Sequence, residues 1–257
     1  MIDSLCPSNE EPTLSWLTAA LRSSVGKKFV MGGTGLFLCL FLVMHLAGNL
    51  LLFAGANVYN EYAHKLHSMG GLLVLAEVIL FAAFGAHIYL AFVTSRENRI
   101  ARQRSYEIKQ SKKEAGNIIS GLAAENTMFV SGAIILLYLI LHLADFKFGL
   151  TGADAVASPY DKARLLLGET WRAIAYAAAS LIVGYHVSHG FASAFQSLGI
   201  SHPKYTSWIK TAAVLFAIAV AVGYLLVVLV GHSGLRDAVA DAAVPAGQSA
   251  PVTSPGH

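Results

Sequence analysis

Residues 29–53 read FVMGGTGLFLCLFLVMHLAGNLLLF, 25 residues without an Asp, Glu, Lys or Arg. At 1.5 Å per residue, a helix of that length spans about 37 Å, more than the ~30 Å hydrocarbon core of a bilayer. The run is continuously apolar rather than alternating. An open strand also could not satisfy its backbone in lipid, so the segment reads as a membrane-crossing helix.

Working outward, four more runs have the same character, at about 71–94, 127–146, 171–194 and 209–231. The whole chain agrees. Of its 257 residues, 55% are hydrophobic and 13% charged, against about 25% charged in soluble proteins, and the mean hydropathy is +0.57. A water-soluble domain, a disordered chain and a coiled coil are excluded, and so is a nucleic-acid binder, despite a pI near 8.8. The expectation is an all-α polytopic membrane protein, a five-transmembrane-helix bundle over 27–231. A cytoplasmic N-terminal arm (1–26) precedes it. A disordered, dispensable tail (232–257), rich in Ala, Pro, Ser and Gly, follows. The arm holds Asp3, Glu10, Glu11 and Pro12 and lacks the apolar core of a signal peptide. Cys6 and Cys39 set no disulfide framework, and no Cys-x-x-Cys-His occurs for covalent haem attachment.

Basic residues orient the bundle. Arg22, Lys27 and Lys28 precede the first span. Arg96, Arg99, Arg102, Arg104, Lys109, Lys112 and Lys113 crowd the loop between spans two and three, and Lys204 and Lys210 precede the fifth. With the N-terminus inside, these twelve of the 18 basic residues are cytoplasmic. Lys65, Lys147, Lys162, Arg164, Arg172 and Arg236 fall outside, as does the C-terminus. The basic loop serves as a topology signal with headgroup contacts, and it also suits docking of a cytoplasmic partner.

Of ten histidines, His45, His87, His142 and His186 each lie inside a different span. Ionisable groups in hydrocarbon are costly and point to function. Each lies 17 residues from a plausible span start, at Lys28, Gly70, Glu125 and Glu169, or about 25 Å of helix. Because alternate spans run in opposite directions, His45 and His142 fall toward the outer leaflet and His87 and His186 toward the inner. Two levels with two imidazoles each is what two stacked haems b require, each iron taking two axial histidines. A zinc site would draw three or four ligands to one point. His189 shares a helix face with His186, and spacing alone leaves either as the fourth ligand. His64 and His67 lie in the outer loop before span two. His202, His232 and His257 receive no role. Glu77 interrupts LLVLAEVILF, residues 72–81. It is either an interior hydrogen-bonded carboxyl or a proton-handling group near the outer haem level.

These residues resemble the dihaem cytochrome b membrane anchor of succinate:quinone oxidoreductases (succinate dehydrogenase or fumarate reductase) of the five-helix b558 type. The likeness covers about residues 20–231. It rests on Gly26, Lys27 and Lys28; Thr34, Gly35 and Leu36; and His45, Leu46 and Asn49 in span one. Later spans add Glu77 with His87 ten residues on, LHLADF around His142, and YHVSHGFASAFQSLG at 185–199. In the family the span-four ligand has Gly four and thirteen residues on. Here these are Gly190 and Gly199, which selects His186 over His189.

The resemblance implies a bacterial inner-membrane subunit that passes electrons between an iron–sulfur subunit and a quinone, mostly menaquinone in this type. It implies a flavoprotein subunit with FAD beside the iron–sulfur subunit on the cytoplasmic side. This chain carries neither a dinucleotide fingerprint nor a cysteine cluster, so FAD and iron–sulfur clusters belong to the partners. Quinone reduction takes up protons. Histidine is the side-chain type that exchanges them near neutral pH, and a desolvated carboxyl can do the same. His67 and Glu77 are the expected proton-handling residues at an outer quinone site; the alternatives are an exposed His67 and a structural Glu77, and an inner quinone site beside the iron–sulfur subunit, as in other anchor types. Some fumarate-reducing relatives carry an acid two positions before the span-four ligand. Here Gly184 stands there, which favours succinate oxidation. Rival readings are the cytochrome b of a hydrogenase or formate dehydrogenase, and a histidine-lined transporter.

Overall fold

The computed structural model describes residues 15–101, 124–152 and 158–233. Among these it is almost entirely helical, with no strand. The helices are α1 (Ser15–Arg22), α2 (Ser24–Leu50), α3 (Ala56–Ser68), α4 (Gly71–Ala101), α5 (Ala124–Phe146), α6 (Pro159–Gly168), α7 (Thr170–Ser197) and α8 (Pro203–Ser233), with a short 3-10 turn at Leu51–Ala54. Four segments are long and apolar enough to cross a membrane: Ser24–Ala54, Gly71–Ile100, Thr127–Phe146 and Pro203–Ser233. They match four of the five expected spans. The remaining one, α7, has 28 residues and so has the length. It carries Ser180, Gly184, Tyr185, His186, Ser188, His189 and Gly190 in its middle, which dilutes its apolarity.

Two connections expected as loops contain helices. The α3 sequence, ANVYNEYAHKLHS, is too polar to enter hydrocarbon but keeps helical periodicity. Helix α6 has its start written locally: Ser158 Oγ accepts from the Asp161 N–H at 3.2 Å, Pro159 opens the first turn and Asp161 lies within it. The Asn60 side-chain carbonyl accepts from the Tyr160 N–H at 3.0 Å, tying α3 to α6. Tyr59 packs on Tyr160 there with ring centres 6.2 Å apart. Burial, and then the neighbouring Tyr62, push the Tyr59 phenol above the usual tyrosine range. At the N-terminus the expected arm is itself helical from Ser15, and α2 begins at Ser24, inside the arm's predicted limits. Residues 1–14, the tail beyond Ser233 and the basic residues Arg102, Arg104, Lys109, Lys112 and Lys113 lie outside the described residues.

Close packing divides the described residues into two compact units, the first from those within 1–41, 74–132 and 186–216, the second from those within 42–73, 133–185 and 217–257. In the first, Ser23 caps α2, its Oγ accepting from the Gly26 N–H at 3.0 Å. A Cβ at Gly26 would lie 2.0 Å from the Ala20 carbonyl oxygen, so only glycine permits the elbow between α1 and α2. Lys27 pairs with Glu97, joining α2 to α4. Gly32 sits against Ala194 and Ser197 of α7, and Phe191 of α7 packs on Phe216 of α8 at 5.3 Å. Helix α7 stops at Gly199, whose φ of 82° is one that side chains rarely adopt. The Ile200 N–H closes the end onto the Phe195 carbonyl at 2.9 Å.

The second unit holds the better-packed core: Leu52, Tyr160, Ala163, Leu167, Ala173, Tyr176, Val227, Val228 and Val230. Small residues let backbones meet, as is usual between membrane helices. A Cβ at Gly231 would strike Leu167, one at Gly223 would strike Leu46, and one at Gly48 would strike the Tyr62 ring.

Candidate functional site

The four histidines singled out in the sequence fall into the two units as pairs. His45 and His142 belong to the second, His87 and His186 to the first. In each pair the two residues come from different helices, α2 with α5 and α4 with α7. His45 and His142 have ring centres 5.7 Å apart with planes at 86°. Both rings are part-buried. Nδ1 of His142 is buried with no hydrogen-bond partner among the described residues. Aromatic rings wall the pair: Tyr138 and Phe146 lie 5.7 and 5.3 Å from His142, Tyr176 lies 6.0 Å from it, and Tyr224 lies 6.0 Å from His45. Tyr224 donates to the Leu42 carbonyl at 3.0 Å. Helix α8 thus flanks His45 with an aromatic side chain.

His87 and His186 both belong to the first unit. Each meets a hydroxyl and a glycine from a neighbouring helix. His87 Nδ1 lies 3.3 Å from Thr34 Oγ1, and a Cβ at Gly35 would lie 3.3 Å from His87 Cε1. His186 Nδ1 lies 3.0 Å from Ser131 Oγ, and a Cβ at Gly132 would lie 3.5 Å from His186 Cε1. His189 is exposed and lies 3.0 Å from the Ser188 hydroxyl of its own helix. Of the two candidates on α7, His186 is the one turned toward α5. Among the described residues no three His, Cys, Asp or Glu side chains gather at one point.

The other candidates are less gathered. His67 is exposed on α3, and its Nδ1 donates to the Ala63 carbonyl at 2.7 Å. Glu77 is part-buried on α4 and falls in the unit that holds His87, whereas His67 falls in the other.

Sequence reasoning missed several residues around the pairs. Asp145, one turn after His142, is fully buried. Tyr176 donates to its Oδ2 at 2.9 Å, and Arg172 Nε lies 3.2 Å from its Oδ1. Arg172, also buried, pairs in turn with Glu169, which accepts from the Trp171 indole at 2.8 Å. LHLADF displayed the aspartate. Nothing in the sequence coupled it to Arg172, which looked like a loop-end charge.

Thr34 and Ser131 did leave a signal. Thr34–Gly35 precedes His45, and Ser131–Gly132 precedes His142, by the same eleven residues. Eleven residues are close to three helical turns, so hydroxyl and histidine share a helix face. Gly184 is closed off: a Cβ there would lie 2.7 Å from Ala221 Cβ and 3.1 Å from the Ala217 carbonyl oxygen. An acidic side chain has no room at that position.

The chain matches no protein-family model, no curated protein sequence and no solved structure.

Proposed function

We propose that this chain is the membrane anchor and dihaem cytochrome b subunit of a succinate dehydrogenase or fumarate reductase complex, set in a bacterial inner membrane. His45 and His142 would hold one haem b, His87 and His186 the other. The observation that carries the reading is the pairing: four intramembrane histidines from four helices, two in each compact unit. The donor chemistry fits, since paired imidazoles with apolar, aromatic and glycine neighbours suit an apolar macrocycle. Haem iron with two axial imidazoles has no open position and supplies electron transfer rather than oxygen binding. The fifth crossing of the bundle would be α7, which carries His186.

Charge supports the orientation. Arg22, Lys27, Lys28, Arg96, Arg99, Lys204 and Lys210 belong to the unit of His87 and His186, while Lys65, Lys147, Lys162, Arg164 and Arg172 belong to the other. A basic cytoplasmic end suits docking of the iron–sulfur subunit, with the FAD subunit beyond it. Quinone, by resemblance menaquinone, would be served by His67 and Glu77. His67 is exposed at the outer mouth and able to exchange protons with water, whereas Glu77 lies within α4.

Two measurements on the intact complex test this. Crosslinks from the iron–sulfur subunit should map to residues 22–28, 96–113 or 197–207, and a map confined to 147–168 contradicts the orientation. Glu77→Gln and His67→Ala, with haem content intact, should slow quinone turnover by about 10²-fold, a common cost of losing a proton-transfer group. Full turnover in both moves the quinone elsewhere.

A further inference from the structure

Thr34 and Ser131 stand in the same relation to the two histidines of the first unit. A serine or threonine hydroxyl has one proton to give and can accept as well. Thr34 Oγ1 lies 2.9 Å from the Val30 carbonyl and 3.1 Å from that of Met31. Ser131 Oγ lies 3.1 Å from the Met128 carbonyl. A carbonyl only accepts, so each hydroxyl gives its proton to its own helix. Toward the imidazole it is left as an acceptor. In that arrangement His87 Nδ1 at 3.3 Å and His186 Nδ1 at 3.0 Å carry their ring protons and donate. In a neutral imidazole with Nδ1 protonated, the lone pair sits on Nε2.

The glycine after each hydroxyl completes the fit. At Gly35 and Gly132 a Cβ would stand 3.3 and 3.5 Å from the Cε1 of the respective ring. Cε1 lies between the two nitrogens, so each ring packs directly against a glycine, with a Cβ at Gly35 slightly too close and one at Gly132 at ordinary contact. The second unit differs, since Nδ1 of His142 has no hydrogen-bond partner among the described residues.

We infer that Thr34 and Ser131 are paired positioning residues that hold His87 and His186 with Nε2 presented to a metal, and that their hydrogen bonds lower the reduction potential at this site. The inference rests on the haem reading above. A ligating histidine that donates its second N–H becomes a stronger electron donor, which favours the oxidised metal.

The test is a redox titration of the haem absorption in the full-length protein, with haem content measured on the same samples. Thr34→Val and Ser131→Ala should each raise one midpoint potential, the double variant should raise it further, and the second potential should stay in place. Thr34→Ser and Ser131→Thr keep a hydroxyl and should restore the original value. The component that moves should be the one that His87→Ala removes. Two unchanged potentials in the double variant, with haem bound, overturn the inference, and so does movement of the component that His45→Ala removes. Haem loss in Thr34→Val that Thr34→Ser rescues supports positioning, and loss in both overturns it. If the wild-type chain binds no haem, the haem reading itself has failed. The tautomer is then read from nitrogen NMR of the histidine-labelled full chain. There Nδ1–H on both rings, lost in the two variants, supports the positioning role, and Nε2–H overturns it.

Discussion

At the residue scale, the strongest commitment of the fold is Asp145 with Arg172. Two charges were taken out of water here, and each is tolerated because the other is present, with Tyr176 and Glu169 completing the set. Removing one partner leaves a buried charge uncompensated, at a cost of about 3–5 kcal/mol. Replacing both with apolar residues of similar volume is far less harmful. Arg172→Leu and Asp145→Leu are therefore each expected to lower the unfolding temperature sharply, and the double variant to recover most of the loss. Thermal unfolding in detergent reads this directly, and additive losses in the double variant contradict the coupling. The histidines themselves were legible in the sequence, because an ionisable side chain in an apolar run stands out. Their supports were not. Asp145 and Arg172 sit 27 residues apart at the ends of different helices, and only folding joins them. Thr34 and Ser131 are common helix residues, and the matched eleven-residue spacing acquires meaning only once each is found facing a histidine.

At the level of the element, α7 is the informative helix. Its length suits a span but its composition dilutes the signal. The polar positions are those where α7 meets its neighbours: Ser180 bonds back to Tyr176 at 2.8 Å, Gly184 admits α8, and His186 reaches Ser131 of α5. In lipid, a helix that spends its polar residues on other helices still presents Leu181, Ile174 and Trp171, all exposed. Four spans were plain from apolarity because they carry little else. The remaining expected span, 171–194, also reads as an apolar run, but α7 is not among the four helices long and apolar enough to cross a membrane. The short helices α3 and α6 escaped notice because their composition is that of a loop. Their starts depend on Gly55 and Ser158, single residues whose roles are local. If α7 crosses the membrane, a reporter fused after residue 200 and one fused near residue 155 should give opposite locations. Equal locations would place α7 on the membrane surface and remove His186 from the bundle.

For the whole molecule, the pattern is two units, each with one histidine pair. Helices α2 and α5 serve both: each gives a histidine to one unit and a hydroxyl–glycine step to the other. The most direct measurement is the haem content of the purified full-length protein by pyridine haemochrome, repeated on single-histidine variants. Two bis-imidazole sites require about two haems per chain. Loss of the same haem is expected in His45→Ala and His142→Ala, and loss of the other in His87→Ala and His186→Ala. One haem or none in the wild-type chain, or a common loss from His45→Ala and His87→Ala, would contradict it.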